Sequence, residues 1–239
     1  MGAGSGFGRA VLVGGVVGVV AVAAAVVALA SVAGPSGEVG PVLVVLAAPD
    51  EDGVRCGAVI AEVDVRSGGI RLVDPATESR LTGVTYTRVG EAFPFGGGGA
   101  VLGAVRAAGL TDADAAVGLD ERVWMPAVDR AGGIRVTVPE DLDAFVSGRL
   151  ERFREGAETV NGERAAALLA ASAHVSRSSA RRALQETLAA GALRALGREP
   201  LPEDGEGGVD STLRRPALER LWPSLTGAMQ RWSPSTSST

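Results

Sequence analysis

Four consecutive glycines, Gly96 to Gly99, precede a segment of helical composition, and this pattern invites phosphate chemistry. Exposed backbone N–H groups at a helix N terminus bind anions, so a glycine-rich helix start can cradle a phosphate. The run is not followed by Gly-Lys-Ser/Thr, and it lacks the third glycine of a dinucleotide-binding fingerprint. We therefore expect a plain flexible loop or an anion-facing helix start, and not a nucleotide-binding fold.

Residues for metal or nucleophilic chemistry are scarce. A single histidine, His174, excludes a multi-histidine metal site, and a single cysteine, Cys56, excludes an intramolecular disulfide and a cysteine-based metal cluster. Ser172 and Ser176 flank His174, but neither lies in a Gly-x-Ser-x-Gly elbow. All 23 basic residues are arginine, and the net charge of −5 argues against non-specific nucleic-acid binding.

The N-terminal region carries an uncharged segment, residues 10–33, built almost entirely of Val, Ala, Gly and Leu. As a helix it would span about 36 Å, which exceeds the roughly 30 Å hydrocarbon core of a bilayer. Arg9 precedes it, so we predict a short cytoplasmic tail (residues 1–9), a transmembrane anchor and an extracytoplasmic remainder. The alternative is a signal peptide cleaved after Ala30 or Ala33, which would also export the chain.

Strands alternate with helices in the rest of the chain, which predicts an α/β sandwich. The predicted strands are Val42–Ala47, Ala58–Val65, Gly69–Val73, Val84–Val89, Ala115–Leu119 and Ile134–Val138, with a hairpin turn before Gly69. The predicted helices are Ala100–Ala108, Glu121–Arg130, Gly162–Ala173 capped by Asn161, and a longer helix capped by Ser178 or Ser179 that reaches about Leu196.

Composition suggests the domain limits. Residues 34–40 form a Gly/Pro/Ser linker, and residues 41–198 form the extracytoplasmic domain. Residues 199–239 divide into an acidic linker (199–210), an amphipathic segment and a disordered tail (233–239). The amphipathic segment has an apolar stripe that either docks on the domain or meets a partner or membrane surface, and Pro223 weakens or kinks its helix. The stripe consists of Leu218, Leu221, Trp222, Leu225, Met229 and Trp232.

Four segments, in this order after one anchor, resemble motifs of the LytR-CpsA-Psr family. They are Leu72-Val73-Asp74-Pro75, the run from Val89 to Gly97, the run from Leu119 to Pro139 with Asp129-Arg130-Ala131-Gly132-Gly133, and Val160-Asn161-Gly162-Glu163-Arg164-Ala165. The family's members are bacterial envelope enzymes that move a glycopolymer from a polyprenyl pyrophosphate carrier onto peptidoglycan, usually with Mg²⁺. The resemblance implies an α/β/α sandwich, an apolar tunnel for the lipid and an arginine cluster for the pyrophosphate.

The chain departs from the family pattern at the positions that carry its chemistry. Ala76 and Thr77 stand where the family has Arg and Asp, and Gly57 replaces the carboxylate of an Arg-x-Asp-Thr motif. Ala170 stands where the family has an Arg, and Gly90 replaces an Asn. Losing one charge-stabilising group typically costs about 2.7–4 kcal/mol of transition-state stabilisation, so we expect no catalytic residue and no metal site.

Five arginines remain as candidates for a weaker phosphate-binding cluster: Arg55, Arg88, Arg177, Arg181 and Arg182. The leading hypothesis is a membrane-anchored, extracytoplasmic binding or regulatory module in envelope biogenesis, with no cofactor. Its expected partners are a polyprenyl-phosphate lipid or an envelope protein. One alternative is an active Mg²⁺-dependent glycopolymer transferase that uses Arg177, Arg181 and Arg182. The other is a scaffold protein of an envelope complex that binds through the Leu218–Trp232 stripe.

Overall fold

The computed structural model describes residues 40–50, 52–146, 149–203 and 208–233. Its centre is a five-stranded sheet in the order β3-β2-β1-β4-β9. The strands are β1 (Val42–Pro49), β2 (Arg55–Val63), β3 (Ile70–Val73), β4 (Ala115–Leu119) and β9 (Val209–Ser211). Only β1 and β4 pair in parallel, and the other neighbours in this sheet are antiparallel. The first seven residues of β1 are fully buried, as expected of a central strand covered on both faces.

Helices cover both faces of this sheet. On one face, Leu43 and Val45 pack with α1 (Gly97–Ala107) and with the short 3₁₀ helix Gly90–Phe95. The helices α2 (Glu121–Arg130), α3 (Gly162–Ala171), α4 (Ser178–Leu196) and α5 (Arg215–Arg231) complete the chain, and α2, α3 and α5 contact β1 or β2. Since side chains alternate across a strand, Val42 and Val44 face away from α1, so the fold is a mixed α/β sandwich.

Local signals explain where several helices begin and end. The side chain of Asn161 accepts a hydrogen bond from the Arg164 backbone N–H at 2.9 Å, which confirms the predicted cap of α3. Asp120 caps α2 in the same way, accepting from Arg122 N. The predicted serine cap of α4 is wrong: Arg177 occupies the cap position, and no side chain bonds to the helix start. α3 also ends earlier than predicted, and Ser172–His174 continues as one 3₁₀ turn.

The predicted strand Val84–Val89 is also wrong. This segment lies in a loop closed by local bonds, from Ser79 N to Thr87 O at 2.7 Å and from Val89 N to Thr77 O at 2.9 Å. The strand β5 (Ile134–Val138) forms as predicted but pairs with β8 (Gly156–Val160) outside the main sheet. A further hairpin, β6 (Leu142–Val146) with β7 (Arg149–Phe153), has no counterpart in the sequence prediction.

The C-terminal segment is part of the same packed body. β9 pairs with β4 inside what the sequence suggested to be linker, and α5 packs along α4. The apolar stripe of α5 faces the domain: Leu218, Leu221, Trp222, Leu225 and Met229 are buried. Pro223 lies within the helix, which continues through it to Arg231. Burial of the stripe removes the exposed surface on which the scaffold hypothesis depends.

None of the helices in the described part of the chain is long and apolar enough to cross a membrane. The predicted cytoplasmic tail (1–9), the predicted anchor (10–33) and the linker up to residue 39 lie outside the described residues, as do residues 234–239 of the predicted tail.

Leu225 tests whether α5 is integral to the fold. Its side chain is fully buried, so Leu225→Ala should lower the free energy of unfolding by about 2–5 kcal/mol. Chemical denaturation monitored by circular dichroism measures this, with exposed Arg220→Ala on the same helix as the control. Equal stability of the two variants would mean that α5 does not pack as described.

Candidate functional site

A wide cleft of about 1160 Å³ opens at the carboxyl ends of the parallel strands β1 and β4. Ligands of open α/β sheets commonly bind at this edge. The starts of α1, α2 and α3 all contribute residues to the cleft, together with the segment before β9. Its chemically relevant lining residues are Arg55, Phe93, Gly97, Asp120, Glu121, Arg122, Met125, Asp129, Glu163 and Asp210.

The glycine-rich run forms the start of α1, and the protein itself supplies the anion there. The Asp210 carboxylate on β9 accepts a hydrogen bond from Gly98 N at 2.8 Å. Gly97 has a φ of +57°, and a Cβ built on it would collide with this carboxylate. The helix start is therefore anion-facing, as one sequence interpretation proposed, but its anion is a side chain from the end of the chain.

The cleft is acidic. Five carboxylates line it against two arginines, and both arginines are paired. Arg55 Nε lies 2.7 Å from Glu121 Oε1, and Arg122 Nε lies 2.9 Å from Asp120 Oδ2. This excess of negative charge disfavours a phosphate in the larger cavity.

A smaller cavity of about 400 Å³ lies between the β2–β3 hairpin and the helices α3 and α4. Its walls include the apolar side chains Ala58, Val59, Leu72, Leu169 and Ala189, but the charged residues Arg71, Asp74, Arg182 and Glu186 make the exposed lining more polar than apolar. Four residues on one face of α4 contribute, namely Arg182, Gln185, Glu186 and Ala189. Trp232, just after α5, completes the lining. The two cavities adjoin, because Ala166 on α3 lines the larger one and Leu169, one turn later, lines the smaller one.

The structure disperses the five predicted arginines. Arg55 lies in the acidic cleft and Arg182 in the smaller cavity. Arg88 lies in the loop before the 3₁₀ helix, with its Nε 3.9 Å from Glu91 Oε1. The remaining two, Arg177 and Arg181, flank the start of α4 near Arg182. The phosphate-binding role of all five remains a prediction.

The arginines near the start of α4 differ in their partners. Arg181 Nη1 donates to Ala173 O at 3.3 Å. The charge of Arg177, after the hydrogen bonds from Ser176, helps to lower the pKa of Glu140. Arg182 is exposed and makes no hydrogen bond or ion pair with any residue that the structure describes. Arg182 is thus the predicted arginine most available to a ligand.

Gly57, which stands at the family's carboxylate position, is tightly enclosed. A Cβ built on it would lie 3.1 Å from Val45 Cγ1 and 3.5 Å from the Gly90 carbonyl oxygen. Gly90 is equally confined, because its Cβ would lie 2.7 Å from the Gly57 carbonyl oxygen. Two backbones therefore meet where the resemblance would place a metal-binding carboxylate.

Within the described ranges, no group of three or more His, Cys, Asp or Glu side chains is arranged to hold a metal ion. Gly57 therefore supplies no ligand for Mg²⁺ at the carboxylate position of the family pattern.

Cys56 lies beside Gly57 on β2, and its thiol is 3.5 Å from Asp50 Oδ2. Burial and the neighbouring Asp50 carboxylate raise the pKa of Cys56 to about 12. The thiol therefore stays protonated at neutral pH, which makes it a poor nucleophile and a poor metal ligand.

No protein-family model and no curated protein matches the sequence. Solved structures do match the fold. A protein from Streptococcus agalactiae has a TM-score of 0.55 at 12% identity, covering 81% of this chain and 75% of that chain. A transcriptional regulator from Enterococcus faecalis has a TM-score of 0.52 at 15% identity, covering 80% and 73%. TagT bound to LIIa-WTA has a TM-score of 0.50 at 15% identity, covering 80% and 76%.

TagT is a LytR-CpsA-Psr protein, so this chain has a LytR-CpsA-Psr-like fold. The sequence resemblance is confirmed at the level of the fold.

Three residues of the two cavities were not predicted as site residues from the sequence, namely Asp210, Glu121 and Trp232. Asp210 lies in an acidic Pro/Gly-rich stretch that looked like linker, and no local motif marks it.

Asp210→Ala should vacate the anion position at the start of α1. We expect the free energy of unfolding to fall by about 1 kcal/mol, since a charge-assisted hydrogen bond and a favourable helix-dipole contact are lost. Inorganic phosphate should then raise the melting temperature of the variant more than that of the wild type, as measured by thermal denaturation. The matched control is exposed Asp112→Ala. An identical phosphate response in all three proteins would contradict occupation of this position by Asp210.

Glu91 gives the loop before the 3₁₀ helix a pH dependence. Burial raises its pKa, but hydrogen bonds from Thr87 and Arg88 and the charge of Arg88 outweigh burial and lower the pKa from its usual value. A depressed carboxyl pKa stabilises the fold above the unfolded-state pKa, and this contribution disappears as the pH falls through the folded-state pKa. Glu91→Gln should therefore be less stable than wild type at pH 7, and the difference should shrink in acid.

Denaturation curves between about pH 7 and pH 3 measure this difference. Thr87→Ala provides an independent check, because it removes the 3.2 Å hydroxyl bond to Glu91 and should raise the pKa of Glu91 in an NMR titration. A stability difference that stays constant with pH would show that the Glu91 charge does not hold this loop.

Proposed function

We propose that this chain is a divergent LytR-CpsA-Psr protein that binds polyprenyl-phosphate-linked glycans during bacterial envelope biogenesis and does not transfer them. In this proposal the segment 10–33 anchors the protein in the cell membrane, and the folded domain lies outside the cytoplasm. The uncharged composition of that segment and the position of Arg9 support the anchor and its orientation. The LytR-CpsA-Psr-like fold supports the envelope role.

The smaller cavity is the observation that carries the binding function. It places apolar side chains from β2, β3 and α3 in a largely polar lining, beside the guanidinium of Arg182, which has no partner among the described residues. A prenyl group gains free energy where it covers the apolar part of this lining. A guanidinium offers a phosphate two parallel N–H donors and a permanent positive charge. This combination supports a ligand that joins a phosphate to an apolar group.

The positions that depart from the family pattern support binding without transfer. Breaking a pyrophosphate bond requires groups that neutralise charge on the leaving phosphate. A side chain at position 57 would crowd Val45 and the Gly90 backbone, and Ala76, Thr77 and Ala170 carry no charge. The acidic cleft next to the smaller cavity does not compensate, since Arg55 and Arg122 are already paired there.

Arg182→Glu tests the binding function. Full-length protein in a mild detergent should bind polyprenyl phosphate, and the variant should bind it about tenfold more weakly or worse, because a charge-assisted contact becomes a repulsion. Isothermal titration calorimetry provides the dissociation constants. Arg135→Glu, which changes an exposed arginine outside both cavities, is the matched control and should bind like the wild type.

A second measurement addresses transfer. The wild-type protein, supplied with a lipid-linked glycan, a peptidoglycan acceptor and Mg²⁺, should release no lipid phosphate. Mg²⁺-dependent release that Arg181→Ala and Arg182→Ala abolish would favour the active-transferase alternative. Failure of the wild type to bind any polyprenyl phosphate would refute the binding function itself.

A further inference from the structure

The outer edge of β3 has no strand beside it in the described part of the chain, because β3 is the last strand of the main sheet. The Asp64 N–H donates to the Gly69 carbonyl oxygen at 2.9 Å, which sets the alternation of hydrogen-bonded pairs along the β2–β3 hairpin. By this alternation Arg71 bonds to β2, whereas the backbone N–H and C=O groups of Ile70 and Leu72 point away from it. β3 therefore offers backbone donors and acceptors to a further strand.

The smaller cavity follows this edge, between β3 and α4, and its lining is suited to an uncharged polar segment. Its charged residues are two arginines and two carboxylates, so their charges balance. They are Arg71, Asp74, Arg182 and Glu186. Gln185 on α4 adds an amide that both donates and accepts hydrogen bonds.

The polypeptide leaves α5 at one end of this cavity. Trp232 lines the cavity, and its backbone is extended, with φ −67° and ψ 130°. Arg194 Nη1 on α4 donates to the Trp232 carbonyl oxygen at 3.4 Å. Toward the hairpin, a Cβ built on Gly68 in the β2–β3 turn would lie 3.5 Å from Arg231 Nη2. Since this turn leads directly into β3, the chain emerges from α5 beside the start of β3.

The sequence after Ser233 matches the cavity in charge and in length. Residues 234–239, which lie outside the described residues, read Pro-Ser-Thr-Ser-Ser-Thr and carry no charged side chain. Six residues of strand span about 20 Å, which exceeds the roughly 13 Å of the four-residue β3. Threonine favours strands, hydroxyl groups can bond to the polar side chains of α4, and proline is tolerated in an edge strand.

We propose that residues 234–239 bind in the smaller cavity as an additional edge strand beside β3. Entering near Ile70 and running toward Asp74, the segment would be parallel to β3. Backbone hydrogen bonds to Ile70 and Leu72 would hold it, as in other cases of strand addition to a free sheet edge. The segment would also occupy the space next to Arg182 and compete with a ligand there, a consequence that rests on the binding function proposed above.

Amide hydrogen exchange, followed by NMR, tests the added strand. Full-length protein in a mild detergent is compared with a variant that lacks residues 234–239. The Ile70 and Leu72 amides should exchange about tenfold faster in the deletion variant, because their hydrogen bonds to the segment are lost. The Arg71 amide, which bonds to β2, is the internal reference and should change by less than about twofold.

Paired proline substitutions provide a second variant with the segment retained. Alternate residues of an edge strand direct their N–H groups toward the neighbouring strand, so Thr236→Pro with Ser237→Pro removes one of these donors whichever residue faces β3. This double variant should also accelerate exchange at Ile70 or Leu72. Thr236→Ala with Ser237→Ala, which keeps both N–H groups, is the matched control and should exchange like the wild type.

Equal exchange at Ile70 and Leu72 in the wild type and the deletion variant would overturn the added strand, whatever ligand the protein binds. Calorimetric titration with farnesyl phosphate tests the competition, and the deletion variant should bind it about fivefold more tightly than the wild type. If exchange accelerates as expected but neither protein binds farnesyl phosphate, the added strand stands and the proposed binding function fails.

Discussion

The close packing of α1 against the main sheet is the constraint on which the rest of the structure depends. A Cβ on Gly98 would lie 2.8 Å from Gly118 N, and one on Gly118 would lie 2.9 Å from Gly98 N, so the helix and β4 meet backbone to backbone. Asp210 fixes the same helix start from β9. Elements far apart in the chain are thereby joined at one edge of the sheet, where the acidic cleft opens.

The two neighbouring cavities differ in the charge of their lining residues. The Asp210 carboxylate occupies the anion position at the start of α1. The arginines of the wide cleft are paired with carboxylates, so the cleft has an excess of negative charge. Among the arginines that line the two cavities, only Arg182 has no partner within the described part of the chain. The close approach of Gly57 and Gly90 shows how a LytR-CpsA-Psr-like fold accommodates a glycine at the carboxylate position of the family pattern.

Local patterns were sufficient to predict β1, the β2–β3 hairpin, β4 and the four helices up to residue 196, because apolar runs, the Asn161 cap and Gly132-Gly133 act over a few residues. They did not reveal β7, an exposed strand whose sequence Arg-Leu-Glu-Arg-Phe lacks a clear apolar alternation. β9 has three residues and depends on β4, far earlier in the chain. The residue type identified Arg182 as a candidate, but only the tertiary structure shows that Arg182 and Arg55 lie in different cavities. Sequence patterns also do not predict the Gly98–Asp210 hydrogen bond, because it joins residues 112 positions apart.

The late position of β9 and α5 in the chain has a consequence for biosynthesis. A nascent polypeptide released only as far as Leu196 would lack the last strand, the carboxylate at the start of α1 and the apolar cover supplied by Trp222, Leu225 and Met229. It would expose the surface of α4 that α5 buries, and such surfaces promote aggregation. The native state of this domain therefore becomes accessible only when the segment through Arg231 is free to pack on α4.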